Sequence, residues 1–425
     1  MNGFLIGRLN KLRSGSLTFN YDSQWLEIPE ARPISLSLPL SPQGYQGDVV
    51  YNFFDNLLPD NDLIRKRIQA LFKIPTSQPF DLLASIGNDC VGAIQLCADE
   101  EAANVKLIKG EVLSDQQIAD LLKNYQQAPL GMTSAKDFRL SLAGAQEKTA
   151  LLLKDGHWCR PLSTTPSTHI FKLPIGFIEH QQLDLRESCE NEWLCCKIIE
   201  AFGLPVAPTE IRSFQDVKVL IVERFDRKIS SDESWIMRLP QEDLCQAMGY
   251  SPALKYQADG GPGIKAIMSL LLGAEQANRD REKFYRCQII FWLLAAIDGH
   301  AKNFSVFIEP GGSYRLTPIY DVMSAYPLLA KKQLQKQKIK MAMALPSTKN
   351  HYHWYDLQYR HFISAAKAAQ FSEHSAKQIL DELLAQIEPV IQTVSSQLNP
   401  SFPREISEPI LQGLLNCRNR LKINN

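Results

Sequence analysis

Hydrophobic positions along the chain change their period about halfway through its 425 residues. In the first half, short runs alternate apolar with polar or are continuously apolar, the signatures of half-buried and buried strands. Residues 4–7, 16–19, 34–38, 92–96, 169–174 and 217–222 are predicted as strands on this basis. Helices are predicted between them at 49–58, at 63–72, from Pro79 onward, at 114–125 with Asp115 in the first turn, and at 186–202. Beyond residue 226 the apolar spacing becomes helical, at 242–248, 263–272, 283–297 and 379–398. The pattern predicts an α+β chain: an accessory N-terminal subdomain over 1–104, a β-rich part over 105–225 and a mainly helical part over 226–425. The acidic connector around Asp99, Glu100 and Glu101 marks the first boundary.

One stretch breaks the helical second half. Asp298-Gly299-His300-Ala301-Lys302-Asn303 follows an apolar run and opens an alternating one, 304–308. A Glu-Pro-Gly-Gly-Ser turn and a second short strand, 314–317, complete a predicted hairpin, with Tyr320 and Asp321 just beyond it. Closing the hairpin brings Asn303 and Asp321 to the same end, since paired strands lie about 4.8 Å apart. An amide oxygen and a carboxylate suit Mg²⁺, which takes one or two hard protein ligands and fills its shell with substrate phosphates. Asp298 stands five positions before Asn303, the Asp-x-x-x-x-Asn spacing of a kinase catalytic loop. Alone that spacing is common; the hairpin and Asp321 make it specific. The plain alternative is that Asp298 caps a helix end and Asp321 an ordinary turn.

Composition narrows the class without choosing the chemistry. Hydrophobic content of 45%, charged content of 22% and zero formal net charge are those of an ordinary globular chain, with no global field toward nucleic acid or membrane. No apolar run approaches the roughly 20 residues of a membrane span, so a cytoplasmic protein is expected. Nine cysteines without Cys-x-x-Cys spacing read as small buried hydrophobes.

Two further segments fit phosphate chemistry. Residues 137–153 read as strand, small-residue loop, strand, and the amides of Ala143, Gly144, Ala145, Gln146, Glu147 and Lys148 could cradle phosphates, although the run also suits a plain hairpin. Lys172 lies near the end of the strand that follows. In the helix 186–202, Glu192 shares a face with Cys195, Cys196 and Ile199 and needs a partner; Lys172 is the obvious one, with Glu190 the fallback for the carboxylate. The strand 217–222 runs out into Glu223, Arg224, Phe225 and Asp226, where a kinase-like layout would place its hinge. The basic run 331–340 reads as a solvated loop or, with a docked partner, as a DNA contact.

These words together, with Val222-Glu223-Arg224-Phe225-Asp226-Arg227, Arg238-Leu239-Pro240-Gln241-Glu242-Asp243 and Asp259-Gly260-Gly261-Pro262-Gly263, resemble the HipA family of serine/threonine kinase toxins from bacterial toxin–antitoxin pairs. Residues 32–39 and 52–59 are similar to that family's accessory subdomain, and the likeness runs in order from about residue 30 to 330. The resemblance implies a two-lobed protein-kinase-like fold using ATP and Mg²⁺. It implies Asp298 as general base, and Asn303 and Asp321 as metal ligands. Residues 143–148 would form the phosphate loop, with Lys172 on the phosphates, Glu223, Arg224 and Phe225 at the hinge, and His300, Ala301, Lys302 and Tyr320 around the nucleotide. Ser141 would be self-phosphorylated, expelling the loop. Partners would be a HipB-like helix-turn-helix antitoxin, operator DNA through it, and a protein substrate such as an aminoacyl-tRNA synthetase. The alternatives are a small-molecule phosphotransferase of similar fold and a non-catalytic corepressor.

Overall fold

The computed structural model describes residues 1–97, 104–124, 132, 140–144 and 146–423. Ala145, the acidic connector at 99–101 and the strand expected to enter the loop at 137–139 lie outside the described residues. Two compact units emerge: Met1–Leu173 with Glu210–Ala253 and Ser305–Tyr314, and Pro174–Thr209 with Leu254–Phe304 and Arg315–Asn425.

The first unit is β-rich. In its N-terminal part Leu17–Tyr21 pairs with Gly7–Lys11 on one side and Tyr45–Gln46 on the other, against the helices Asp48–Asp55, Asp62–Phe72 and Pro79–Ile86. Phe19, Phe53, Phe54, Leu82 and Leu83 meet in the core between them. A six-stranded sheet follows in the order Thr209–Phe214, Val217–Glu223, His169–Lys172, Lys148–Lys154, His157–Pro161 and Gly110–Val112. The helix Asp115–Lys123, opened by a Ser114–Gln117 capping box, lays Ile118 and Leu122 among the sheet's Leu151, Phe171, Phe214 and Ile221.

Two predicted strands are absent here, for one reason. Residues 34–38 carry an isolated bridge between Ser35 and Leu38 in place of a strand, and 92–96 are irregular. Distant carboxylates take backbone donors in both: Leu36 N–H donates to Glu242 Oε1 at 2.8 Å and Gly92 N–H to Asp226 Oδ2 at 2.7 Å. Glu242 and Asp243, predicted to begin a helix, lie instead in the strand Gln241–Asp243, paired with the first strand of the predicted hairpin, Ser305–Ile308; the helix is only Leu244–Ala247.

The second unit is helical. Its main helices are Ser188–Ala201, Ala277–Leu293, Tyr359–Ala368, Glu373–Ser395 and Arg404–Ile423. Trp292 and Trp354 each donate their indole N–H to the other's carbonyl, at 3.1 and 2.8 Å, so both rings are buried without an orphaned donor. A hairpin, Lys340–Pro346 with Asn350–His353, packs against the helix Tyr359–Ala368. All nine cysteines are free, and all but Cys97 are buried. Among the described residues no helix is long and apolar enough to cross a membrane.

Candidate active site

The helix Ala277–Leu293 ends in a Schellman turn: Ala295 N–H donates to Trp292 O and Ala296 N–H to Phe291 O. Ala295 takes the left-handed residue of that turn, φ +47°. Chain reversal delivers Asp298, exposed, at the start of a tight loop. Gly299 is required there, since a Cβ would lie 2.4 Å from the buried Phe291 ring. A single 3₁₀ turn, Ala301–Asn303, then folds the Asn303 side chain back, and its Nδ2 donates to Asp298 O at 2.9 Å. The five-residue spacing thus measures one closed loop. Tyr256 adds a contact that no sequence motif signalled: its phenol donates to Asp298 Oδ1 at 2.6 Å, and its ring meets His300 edge-on at 5.0 Å. The nearby Asp259-Gly260-Gly261-Pro262-Gly263 motif was the available pointer.

The predicted hairpin forms. Glu309 N–H donates to Ser313 O across its turn, and the strands Ser305–Ile308 and Tyr314–Leu316 are neighbours in one sheet. Ile319 is fastened by donating to Pro205 O and accepting from Ala207 N–H, both at 2.9 Å. Tyr320 then donates its phenol to Lys302 O at 2.8 Å, tying the segment to the loop of Asp298 to Asn303. Asp321 follows with φ +60°, a left-handed conformation uncommon outside glycine, and its carbonyl lies 3.4 Å from Asn303 Nδ2. The structure therefore brings Asp298, Asn303 and Asp321 together, with His300, Ala301 and Lys302 buried in the same loop.

These residues fit Mg²⁺. Asn303 Nδ2 is spent on backbone carbonyls, which leaves the amide oxygen to face a cation beside the half-buried Asp321 carboxylate. Among the described residues no cluster of three or more His, Cys, Asp or Glu could hold a metal, which excludes a zinc-type cage there but not a two-oxygen magnesium site.

In the first unit, Lys148 and Lys172 are register partners on neighbouring strands. Lys172 is 6% exposed, and Lys148 Nζ donates to Ala143 O at 2.7 Å. Gln146 Nε2 donates to Leu173 O at 2.6 Å, Glu147 pairs with Arg67, and Gly144 has φ +101°. Ser141 is fully buried, with Oγ donating to Leu57 O at 2.7 Å and N–H to Asp89 O at 3.1 Å. Leu140 and Leu142 are buried on either side of it in the chain. Glu192 is buried on the helix Ser188–Ala201 of the second unit.

Glu223 is exposed at the end of its strand, and Phe225 meets Phe307 edge-on at 5.8 Å. Arg224, expected among the nucleotide contacts, turns inward instead. Its guanidinium reaches Asp226, Ser167 and the carbonyl of Cys90, each within 3.0 Å, and Asp89 at 3.4 Å. Arg227 and Arg238 reach the other Asp89 oxygen at 3.0 and 3.3 Å. Burial would raise the Asp89 carboxyl, but Arg227, Arg224 and Arg238, with the Ser167 hydroxyl, outweigh it and hold it well below the usual range. Three guanidinium groups face two carboxylates, and burial with the neighbouring cations lowers Arg238 to about 10.

The HipA N-terminal domain matches residues 1–97 and the HipA-like C-terminal domain residues 140–391. A Sinorhizobium fredii protein named as a kinase, Y4mE, is 34% identical over 347 residues, 79% of each chain. The serine/threonine-protein kinase toxin HipA of Shewanella oneidensis is 26% identical over 76% of this chain and 74% of its own. The fold matches that of Shewanella oneidensis HipA, solved in complex with HipB and operator DNA, with TM-score 0.83 at 21% identity over 99% of this chain and 96% of that one. The α+β, two-lobed protein-kinase-like fold expected from the sequence is thus the fold observed, and the chain belongs to the HipA family.

Proposed function

We propose that the chain is an ATP-dependent serine/threonine protein kinase acting as the toxin of a toxin–antitoxin pair. The observation that carries this reading is the closed loop in which Asn303 folds onto the Asp298 carbonyl while Tyr320 ties Asp321 alongside. Asp298, with one oxygen held by Tyr256, uses the other to orient the substrate hydroxyl and accept its proton. Asn303 and Asp321 hold Mg²⁺, which when bound neutralises charge on the transferring phosphate. Lys172 takes nucleotide phosphates together with the amides of residues 143–148. His300 and Lys302 add donors, and the main chain around Glu223 and Phe225 meets the adenine.

Ser141 is the self-phosphorylated residue in this reading. A phosphate of about −1.5 to −2 charge has no room at a fully buried serine, so its segment has to leave before or upon modification. The partner is a HipB-like antitoxin, with operator DNA reached through it; the substrate is a protein serine, of which an aminoacyl-tRNA synthetase is the type. Support for the partner is the likeness to a HipA solved with HipB and operator DNA. Phosphoproteomics after induced expression tests the proposal against an Asp298→Asn chain. Identical phosphoserine profiles from the two would overturn it.

A further inference from the structure

In the helical second unit, Lys349, His351, Arg360, His361 and Arg420, none of them assigned above, line one pocket of about 590 Å³. Asp356 is the one carboxylate among its lining residues. A second pocket of about 760 Å³ shares Tyr355 and Arg420 with it and adds Lys332 and Lys336 from the basic run. The basic run, unexplained by the kinase chemistry, thus forms one wall of a larger cationic basin.

This basin differs from a solvated basic surface in three ways. Arg420 is immobilised: its guanidinium lies 4.8–5.1 Å from the ring centres of Trp292, Trp354 and Tyr355, and Nη2 donates to Trp354 O at 3.3 Å. The two imidazoles are stacked, 4.1 Å between centres at 20°. His361 Nδ1 accepts the Gln358 N–H at 3.2 Å, which puts the proton of the neutral ring on Nε2 as a donor. Burial and the surrounding cations lower both imidazoles, His361 to about 4, so both are neutral near pH 7. Finally, Lys349 and Arg360 form no ion pair among the described residues, unlike Lys331, which pairs with Asp184, Arg286, which pairs with Glu282 and Glu382, and Arg418, which pairs with Glu388. Like charges gathered around a concave space repel one another, and an anion bound among them relieves that repulsion.

We infer that this pocket is a binding site for a small phosphate-bearing anion, held by Lys349, Arg360 and Arg420 with His361 Nε2–H as an additional donor. The site is independent of the proposed kinase centre. Imidazole C2 proton resonances of the full chain, assigned with His351→Gln and His361→Gln variants, report it directly during titration with pyrophosphate. Both resonances should shift saturably at millimolar pyrophosphate, equally in the Asp298→Asn chain, and the affinity should fall at least about tenfold in a Lys349→Ala, Arg360→Ala double variant, whose side chains are exposed. No saturable shift, or a shift unaltered by the double variant, overturns the site. A single-stranded oligonucleotide that moves the same resonances at lower concentration, with affinity growing with its length, overturns the small-ligand assignment in favour of a nucleic-acid groove. Loss of phosphoryl transfer in the Asp298→Asn chain bears only on the kinase reading, so the two ideas fail separately.

Discussion

Tyr256 donates its phenol proton to one oxygen of Asp298, 42 residues away, at 2.6 Å. The bond orients the carboxylate through one oxygen, and in the proposed function the second oxygen takes the substrate hydroxyl. Tyr256→Phe should lower the transfer rate about 2- to 10-fold, the worth of one hydrogen bond, with ATP affinity unchanged. Asp298→Asn should lower it by about 10² to 10⁴. Steady-state transfer to a peptide pool, with KM for ATP measured alongside, separates these from binding defects. An equal loss in both variants would remove Asp298 from its role as base.

Asn303→Ala and Asp321→Ala should weaken nucleotide binding only when Mg²⁺ is present. Calorimetric titration with ATP, with and without the metal, reads this out. Equal weakening in both conditions would point to a collapsed loop instead of lost ligands, since Asn303 also braces the Asp298 carbonyl.

Asp89 collects three guanidinium groups while 2% exposed. Removing one partner of such a buried group leaves uncompensated charge, so Asp89→Ala should cost about 3–5 kcal/mol. A fall in the urea midpoint, followed by fluorescence, measures it. A loss below about 1 kcal/mol, the range of exposed pairs, would mean the network is solvated in solution.

Glu242 carries a pH dependence of opposite sense to that of the depressed carboxylates. Burial raises it from 4.5 to about 8, with Oε1 held by Leu36 N–H and Oε2 without a partner. The folded chain therefore keeps a proton that the unfolded chain has lost. Its contribution is full below pH 4.5 and disappears as the pH rises through 8, at up to about 1.4 kcal/mol per pH unit. Comparing Glu242→Gln with the parent chain cancels other titrating groups such as His169. The gap between their stabilities should change across pH 5–8, and a constant gap would show Glu242 ionised throughout.

Incubation with Mg²⁺ and ATP should add one phosphate at Ser141, and because that serine is buried the modification should be slow relative to transfer to an exposed peptide serine. Time-resolved mass spectrometry checks both site and rate. Self-inactivation with Ser141 unmodified would move the switch elsewhere.

Local sequence carried the geometry of the Asp298–Asn303 loop well. Asp298, Asn303 and the hairpin lie within a few residues of one another, so spacing and turn chemistry determine their geometry. The strand bearing Lys172 and the helix bearing Glu192 were equally legible from period alone. Asp89 was not, because Arg224, Arg227 and Arg238 stand 135 to 149 residues away and no local pattern announces an ion pair at that range. Distance likewise hid the role of Asn56, which donates to Tyr250 O at 2.9 Å across 194 residues. Tyr256 was missed because a tyrosine before a glycine-rich turn carries no signature until the turn's partner is known.

The two groups that hold Ser141, the carbonyls of Leu57 and Asp89, belong to the main chain and are present whatever side chains stand there. A genetic screen for chains that release this segment too readily would therefore find no substitution that deletes either acceptor. Its hits should fall instead on residues that fix the course of the backbone. Arg65 is one, since its guanidinium takes the carbonyls of Asp55 and Pro59 just beside Leu57. Gly144 is another, because its left-handed turn lets its carbonyl accept the Asp60 N–H. Restraint of this kind is inherited with the fold and is poorly reachable by drift at the contact itself.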